Sequence, residues 1–284
     1  MKKFLLFVAA VLTSATMNAQ TWAEAPVSSG FNFDAICESE SAAPTQRGPL
    51  DTHGSQLVTA DVPGVMDALP SDGFLELENG HAYEFGPYSG NNCLVLLKEA
   101  EYPTDVVCTE GTLTLKTNVQ GSQLGFLFVT ANKENYNIEF DVTPVYTDGE
   151  GTAQSFSLTN DWGQNPSNKV YSCNRWRVTA GSNPETGFSG ALQEEVIDLD
   201  SSKTLKAVKF TYQSNTKDAW GWHYINIFGL CVNKSTTGIN DLTVDENDAV
   251  QSVYTVDGRQ VSETQKGINV VKKANGKTVK VIRK

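Results

Sequence analysis

Histidine and positive charge are scarce in this chain, and no catalytic signature stands out against that background. There are three histidines, His53, His81 and His223, and no GxSxG, so a nucleophilic triad, which needs Ser or Cys in contact with a base and an orienting acid, is not expected. No CxxC pair or His/Cys cluster has zinc-ligand spacing, and no D-x-D-x-D-G-x5-E calcium loop occurs. After the N-terminus no apolar run approaches the ~20 residues that cross a bilayer core, so no transmembrane segment is expected. Residues 20–237 carry 12 Lys+Arg against 27 Asp+Glu, a net of −15, while residues 238–284 carry 8 against 6, a net of +2. An acidic body repels nucleic acid and anionic lipid, whose binding depends on cations that neutralise phosphates. Neutral polymers, cations and other proteins are the partners left.

The first positive feature is at the N-terminus. MKKFLLFVAAVLTSATMNAQ sets Lys2 and Lys3 before an apolar run over 4–12, then small and polar residues to Ala19. This is the pattern of a secretory signal peptide over 1–19. Export to an oxidising compartment permits disulfides, and the chain holds five cysteines, Cys37, Cys93, Cys108, Cys173 and Cys231. An odd count leaves at least one unpaired, and the pairing is open. Cys37 with Cys231, near the two ends of the body, is the single staple expected, although Cys93 and Cys231 beside apolar strands also read as small buried hydrophobes.

In the body, residues 20–235, Gly, Pro, Asn, Asp and Ser punctuate apolar stretches rich in β-branched and aromatic residues. Strands are predicted over 56–59, 73–77, 82–85, 93–98, 111–117, 125–130, 137–145, 153–158, 176–178, 195–200, 205–213 and 223–232, with no long helix. TLTLKT (112–117) sets Leu113 and Leu115 on one face, and NIEFDV (137–142) sets Ile138, Phe140 and Val142 opposite Glu139 and Asp141. Such alternation means sheets with one face packed and one wet. A dozen short strands with turn signals between them predict an all-β, antiparallel β-sandwich of jelly-roll type. Long loops such as 161–175 would gather at its ends, where binding sites form.

A polar linker over 236–248 leads to three short predicted strands, VQSVYTV, GINVVKK and KTVKVIRK, within 249–284. A piece that small is marginally stable by itself. VYTVDGRQV (253–261), KGINVVKK (266–273) and the terminal GKTVKVIRK resemble the C-terminal sorting tails of proteins exported by the type IX route of Bacteroidota. The resemblance implies delivery through Sec and then across the outer membrane, with the tail read by the outer-membrane secretion machinery. The residues agree with a β tail: Gly258 allows the positive φ of a hairpin turn. Lys272, Lys273, Lys277, Lys280, Arg283 and Lys284 form a basic edge that discourages unwanted strand pairing.

In the body, SGFNFDAICE (29–38), PYSGNNCLVL (87–96), TNDWG (159–163) and YINIFGL (224–230) resemble landmarks of secreted Bacteroidota β-sandwich modules of galactose-binding-like type. That resemblance implies a fold which often binds carbohydrate or accompanies enzymes acting on it. A sugar ring is apolar on its C–H face and hydroxylated at its rim, so a platform needs exposed aromatic faces with amides or carboxylates around them. Three regions offer this: Tyr88 with Asn91 and Asn92; Trp162, Arg175 and Trp176; and Asp218, Trp220 and Trp222. Each has a structural alternative, since amides close turns and tryptophans plug sandwich ends. DAWGWHYINIF (218–228) divides at His223, with Ile225 and Ile227 on one strand face, Tyr224 and Phe228 on the other, and Trp220 and Trp222 at the loop junction.

Carboxylates give a third option. In LQEEVIDLD (192–200) a strand puts Glu194, Asp198 and Asp200 on one face and Glu195, Ile197 and Leu199 on the other. Paired carboxylates suffice for glycoside hydrolysis, but the compact E-x-D-x-x-E pattern is absent and a solvated strand face is the reading adopted. YTDGEGT (146–152) offers Asp148 and Glu150 to a calcium ion, or an acidic hairpin turn, which Asp-Gly favours. The sequence therefore points to a secreted or surface-attached, non-catalytic module for glycan, without cofactor. A surface adhesin or protein-interaction subunit is the second reading, and a glycoside-active enzyme the third.

Overall fold

Alternating apolar and polar residues decide which face each strand buries, and the strands follow that pattern. The computed structural model describes residues 21–39, 50, 55–98, 107–131, 137–158, 166–177, 185–214, 224–234, 250–273 and 278–283. In chain order the strands are β1 (Thr21–Glu24), β2 (Val27–Ser29), β3 (Ile36–Cys37), β4 (Ser55–Val58), β5 (Phe74–Glu76), β6 (Ala82–Glu84) and β7 (Leu94–Leu96). Next come β8 (Glu110–Val119), β9 (Gln123–Ala131), β10 (Ile138–Tyr146), β11 (Gly149–Glu150), β12 (Gln154–Leu158), β13 (Lys169–Arg177) and β14 (Glu185–Asp198). The remainder are β15 (Leu205–Tyr212), β16 (Tyr224–Lys234), β17 (Val250–Thr255), β18 (Gln260–Val261), β19 (Gly267–Lys273) and β20 (Thr278–Arg283). No helix occurs among the described residues, and none is long and apolar enough to cross a membrane.

Backbone contacts divide the chain into two units, 1–235 and 236–284. The first is an all-β sandwich. Its larger sheet runs β1-β16-β9-β14-β13-β4-β3, with β7 also on β16, and its smaller sheet runs β11-β10-β15-β8-β2, with β12 on β10. Among the described strands all pairings are antiparallel except the two-residue contact of β3 with β4. Between the sheets lies a core in which Phe126 of β9 meets Phe140, Phe156 and Phe210 edge-on, at ring centroid distances of 6.1, 5.5 and 5.6 Å. Leu113, Leu115, Ile138 and Val142 join it, as their alternation predicts.

The outer face of the larger sheet carries a second apolar layer. The hairpin β5–β6 and the segment after it set Tyr83, Phe85, Cys93, Val95 and Leu97 against Leu127, Val129, Phe228 and Cys231. Strand β9 is thus buried on both faces, which is why LGFLFV runs apolar without alternation. In β16 a register shift between Ile227 and Gly229 keeps Ile225, Ile227, Leu230 and Val232 in the inner core and Phe228 and Cys231 in the outer layer.

Three expectations change. The long loop expected over 161–175 is strand from Lys169 onward, because KVYSCNRWR, although polar, pairs along β14 and buries Cys173 and Trp176. The staple between Cys37 and Cys231 does not form, and none of the five cysteines is in a disulfide. Their strands, β3 and β16, are separated by β9, β14, β13 and β4, about 24 Å at the usual strand spacing, against the ~7 Å limit between disulfide-linked Cα atoms.

The third change is in the C-terminal unit, where the expected three strands are four, in the order β18-β17-β19-β20. The additional strand forms because the chain turns back at Gly258, whose φ is +84°, and Gln260 and Val261 then pair with Tyr254 and Val253. Among its described residues Val253 and Val271 are buried, and Lys272, Lys280 and Arg283 are exposed.

Candidate functional site

The predicted site residues fall into separate places. Tyr88 packs on Phe85 and donates its hydroxyl to the Pro70 carbonyl at 2.8 Å, and burial pushes its pKa up. Asn92 is fully buried: its Oδ1 accepts from Ala35 N at 2.9 Å and its Nδ2 donates to Asp34 Oδ1 at 2.8 Å and Gly90 O at 3.0 Å. Asn91, beside it, is exposed. Trp176 is 2% exposed and packs with Cys37, Val58 and Val62. Its Nε1 and the Oε1 of Gln56, its register partner, are buried without a hydrogen-bond partner. Arg175 lies on β13 opposite Phe188. Trp162, Asp218, Trp220 and Trp222 lie outside the described residues.

Strand registers do show where the flanks of those segments lie. In the smaller sheet Leu158 ends β12 opposite Ile138, and Tyr212 ends β15 opposite Phe140. In the larger sheet Tyr224 begins β16 opposite Ala131, and Arg177 ends β13 opposite Glu185 at the start of β14. Ala131 and Asn137 are separated by five residues, so the two sheets present these termini at the same end of the sandwich. Tyr88 packs instead against the outer apolar layer.

The carboxylates are differently placed. Asp198 is exposed, and the carboxylate of Asp200 accepts from Ser202 N and Oγ, bonds that hold its pKa below the ordinary aspartate value. Asp148 and Glu150 pair with Lys203 at 3.0 Å and Lys209 at 2.8 Å. Glu195 accepts from Asn168 at 3.0 Å. Glu194 departs from the solvated face expected of it, since its side chain is 7% exposed.

Glu194 sits where the hairpin β5–β6 crosses the larger sheet. Its Oε2 accepts from Asn79 Nδ2 at 3.0 Å, and its Oε1 meets His81 Nδ1 at 2.7 Å and accepts from the Tyr83 hydroxyl. Trp22 of β1 covers the His81 ring at 3.8 Å between centroids. The Tyr83 hydroxyl also contacts Cys231, and Gly125 makes room for both. A Cβ at Gly125 would lie 2.7 Å from the Cys231 Sγ and 2.8 Å from the Tyr83 hydroxyl. Burial, reinforced by Cys231 and Glu194, raises the Tyr83 pKa well above the ordinary value. Burial pushes the Cys231 thiol up to about 12, against the lowering effect of its bond to Tyr83. This cluster was not visible in the sequence, since Glu194 and His81 are 113 residues apart. The available signal was that Leu192 and Val196, two positions either side, share the strand face of Glu194.

Neither a family model nor a curated relative matches the chain. Among solved structures, the receptor-binding domain of botulinum neurotoxin D aligns at a TM-score of 0.19 and 11% identity, over 58% of this chain and 50% of that one. A second structure, the botulinum neurotoxin serotype D binding domain, gives 0.19 and 12% over 58% and 47%. The chain thus spans about half the length of these structures. The sandwich is defined by its own sheets rather than by these likenesses.

Proposed function

We propose that the chain is a secreted or outer-surface, non-catalytic binding module whose ligand is a carbohydrate. The observation that carries this reading is the gathering of strand termini at one end. Leu158, after which Trp162 follows, Tyr212 and Tyr224, which bracket Asp218, Trp220 and Trp222, and the end of β13 all lie there. Loops from several strands at one sandwich end are the usual setting for a binding surface, and two aromatic-bearing segments entering it suit the C–H face of a sugar. In this reading Trp220 is the first contact, Trp222 the second, and Asp218 with Arg175 supplies rim hydrogen bonds. Asn91 and the Tyr88 ring form a separate, secondary surface.

The C-terminal unit is proposed as the export tail that its motifs resemble, delivering the body to the outer surface through the outer-membrane secretion machinery of Bacteroidota. Its exposed Lys272, Lys280 and Arg283 suit a surface meant for a receptor rather than for the acidic body's ligand.

Retention in polysaccharide affinity gels, preceded by a glycan array, tests the binding reading. Trp220→Ala is expected to weaken retention about tenfold or more, as loss of a central aromatic anchor does, while Trp176→Phe, at a buried position, leaves it unchanged. No retention on any glycan would move the function to a protein partner. Reducing-end release abolished by Asp198→Asn would make the chain an enzyme.

A further inference from the structure

His81, Glu194 and Cys231 arrive from the β5–β6 turn, from β14 and from β16, and their ligand atoms all lie within 4.8 Å of one another. Among the described residues this is the group in which three such donors converge. We propose that His81, Glu194 and Cys231 bind a single zinc ion that locks the β5–β6 hairpin onto the larger sheet. The proposal is independent of the glycan reading.

The donor set selects the metal. One imidazole nitrogen, one carboxylate oxygen and one thiolate suit a borderline-soft, tetrahedral ion, whereas calcium and magnesium take oxygen ligands alone. Around zinc, donors at ~2.0–2.3 Å stand roughly 3.2–3.8 Å apart. The His81–Glu194 pair, now at 2.7 Å, therefore opens by about half an ångström, and a water completes the fourth position. Loading takes the thiol proton from Cys231 and releases it to solvent, so the ion meets a thiolate.

The surroundings resemble the supports that metal ligands need. Asn79 holds the second carboxylate oxygen of Glu194 at 3.0 Å. The Tyr83 hydroxyl touches both Glu194 and Cys231, and Trp22 fixes the plane of His81. Gly125 leaves open the space beside the thiol that any larger residue would fill. His81 keeps 12% of its side chain exposed, which gives an entry path past the Trp22 edge.

The test uses the full chain, stripped with a chelator and then titrated with zinc and, separately, cobalt. One metal per chain after gel filtration, a rise in melting temperature with zinc, and a thiolate-to-cobalt charge-transfer band are expected. Cys231→Ser should remove the band, and His81→Gln should weaken zinc binding at least tenfold. Asp198→Asn, on β14 with Glu194 but exposed, should change neither. If Cys231→Ser fails to fold, His81→Gln, at the most exposed of the three ligands, still reports on the site. A folded chain that takes up no metal, cobalt bound without the charge-transfer band, or undiminished affinity in His81→Gln would each overturn the proposal.

Discussion

Asp34 shows how one residue's environment sets a pH response. Its carboxylate accepts from Asn92 Nδ2 at 2.8 Å, yet its pKa is raised, first by burial and further by Glu38, with the Asn92 bond opposing. The folded chain therefore holds this proton more tightly than the unfolded chain. Stability contributed at this site is full below the ordinary carboxylate range and falls as pH rises through it towards the raised value. Asp34→Asn keeps the shape and an acceptor while removing the charge. Its urea midpoint should exceed that of the parent at pH 7, with the difference shrinking at about pH 4 and below. A difference that grew towards acid would show that the Asn92 bond, not burial, dominates. Single residues were the least legible level in the sequence. Asn92 and Asn91 are neighbours of one type, yet one is wholly buried and one exposed, and only the approach of Phe33 and Ala35 to the turn separates them.

Elements were far more legible. Each of the twelve predicted body strands overlaps an observed one, because period-2 alternation in TLTLKT or NIEFDV is written by burial on one face alone. The strands β1, β2 and β3, two to four residues long, went unread. The beginning of β14 was hidden by its Gly and Ser content. In β19 a polar side chain does structural work that no pattern announces. Asn269 is 1% exposed, accepts from Gln265 N at 2.9 Å, and donates to Gln265 O at 2.6 Å and Gly267 O at 3.2 Å. It closes the turn that enters the strand. Asn269→Ala leaves those backbone groups without partners, at a cost of about 1–3 kcal/mol, a large share of what so small a sheet can supply. Amide hydrogen exchange should show protection lost across β19 and β20 while β9 is unchanged. Unaltered protection of β19 would mean that the turn is held by Arg283, whose Nη1 donates to Thr264 O at 2.8 Å.

At the scale of the molecule, charge separates the possible partners. The negative charge lies in the body, −15 over residues 20–237, whose described lysines include three already paired with carboxylates, Lys116, Lys203 and Lys209. Any partner recognised through its own charge must be cationic, and its affinity must then weaken as salt shortens the Debye length from ~10 Å at 0.1 M to ~3 Å at 1 M. A neutral sugar held by aromatic faces and hydrogen bonds feels none of that screening. Retention of the chain on its best neutral glycan should therefore change by less than about twofold over that salt range, since no counterions are released on binding. The Trp220→Ala loss should be equally large at both ends of it. A steep decline with salt would show that charge rather than aromatic stacking holds the chain on the gel, and would overturn the account of binding through Trp220.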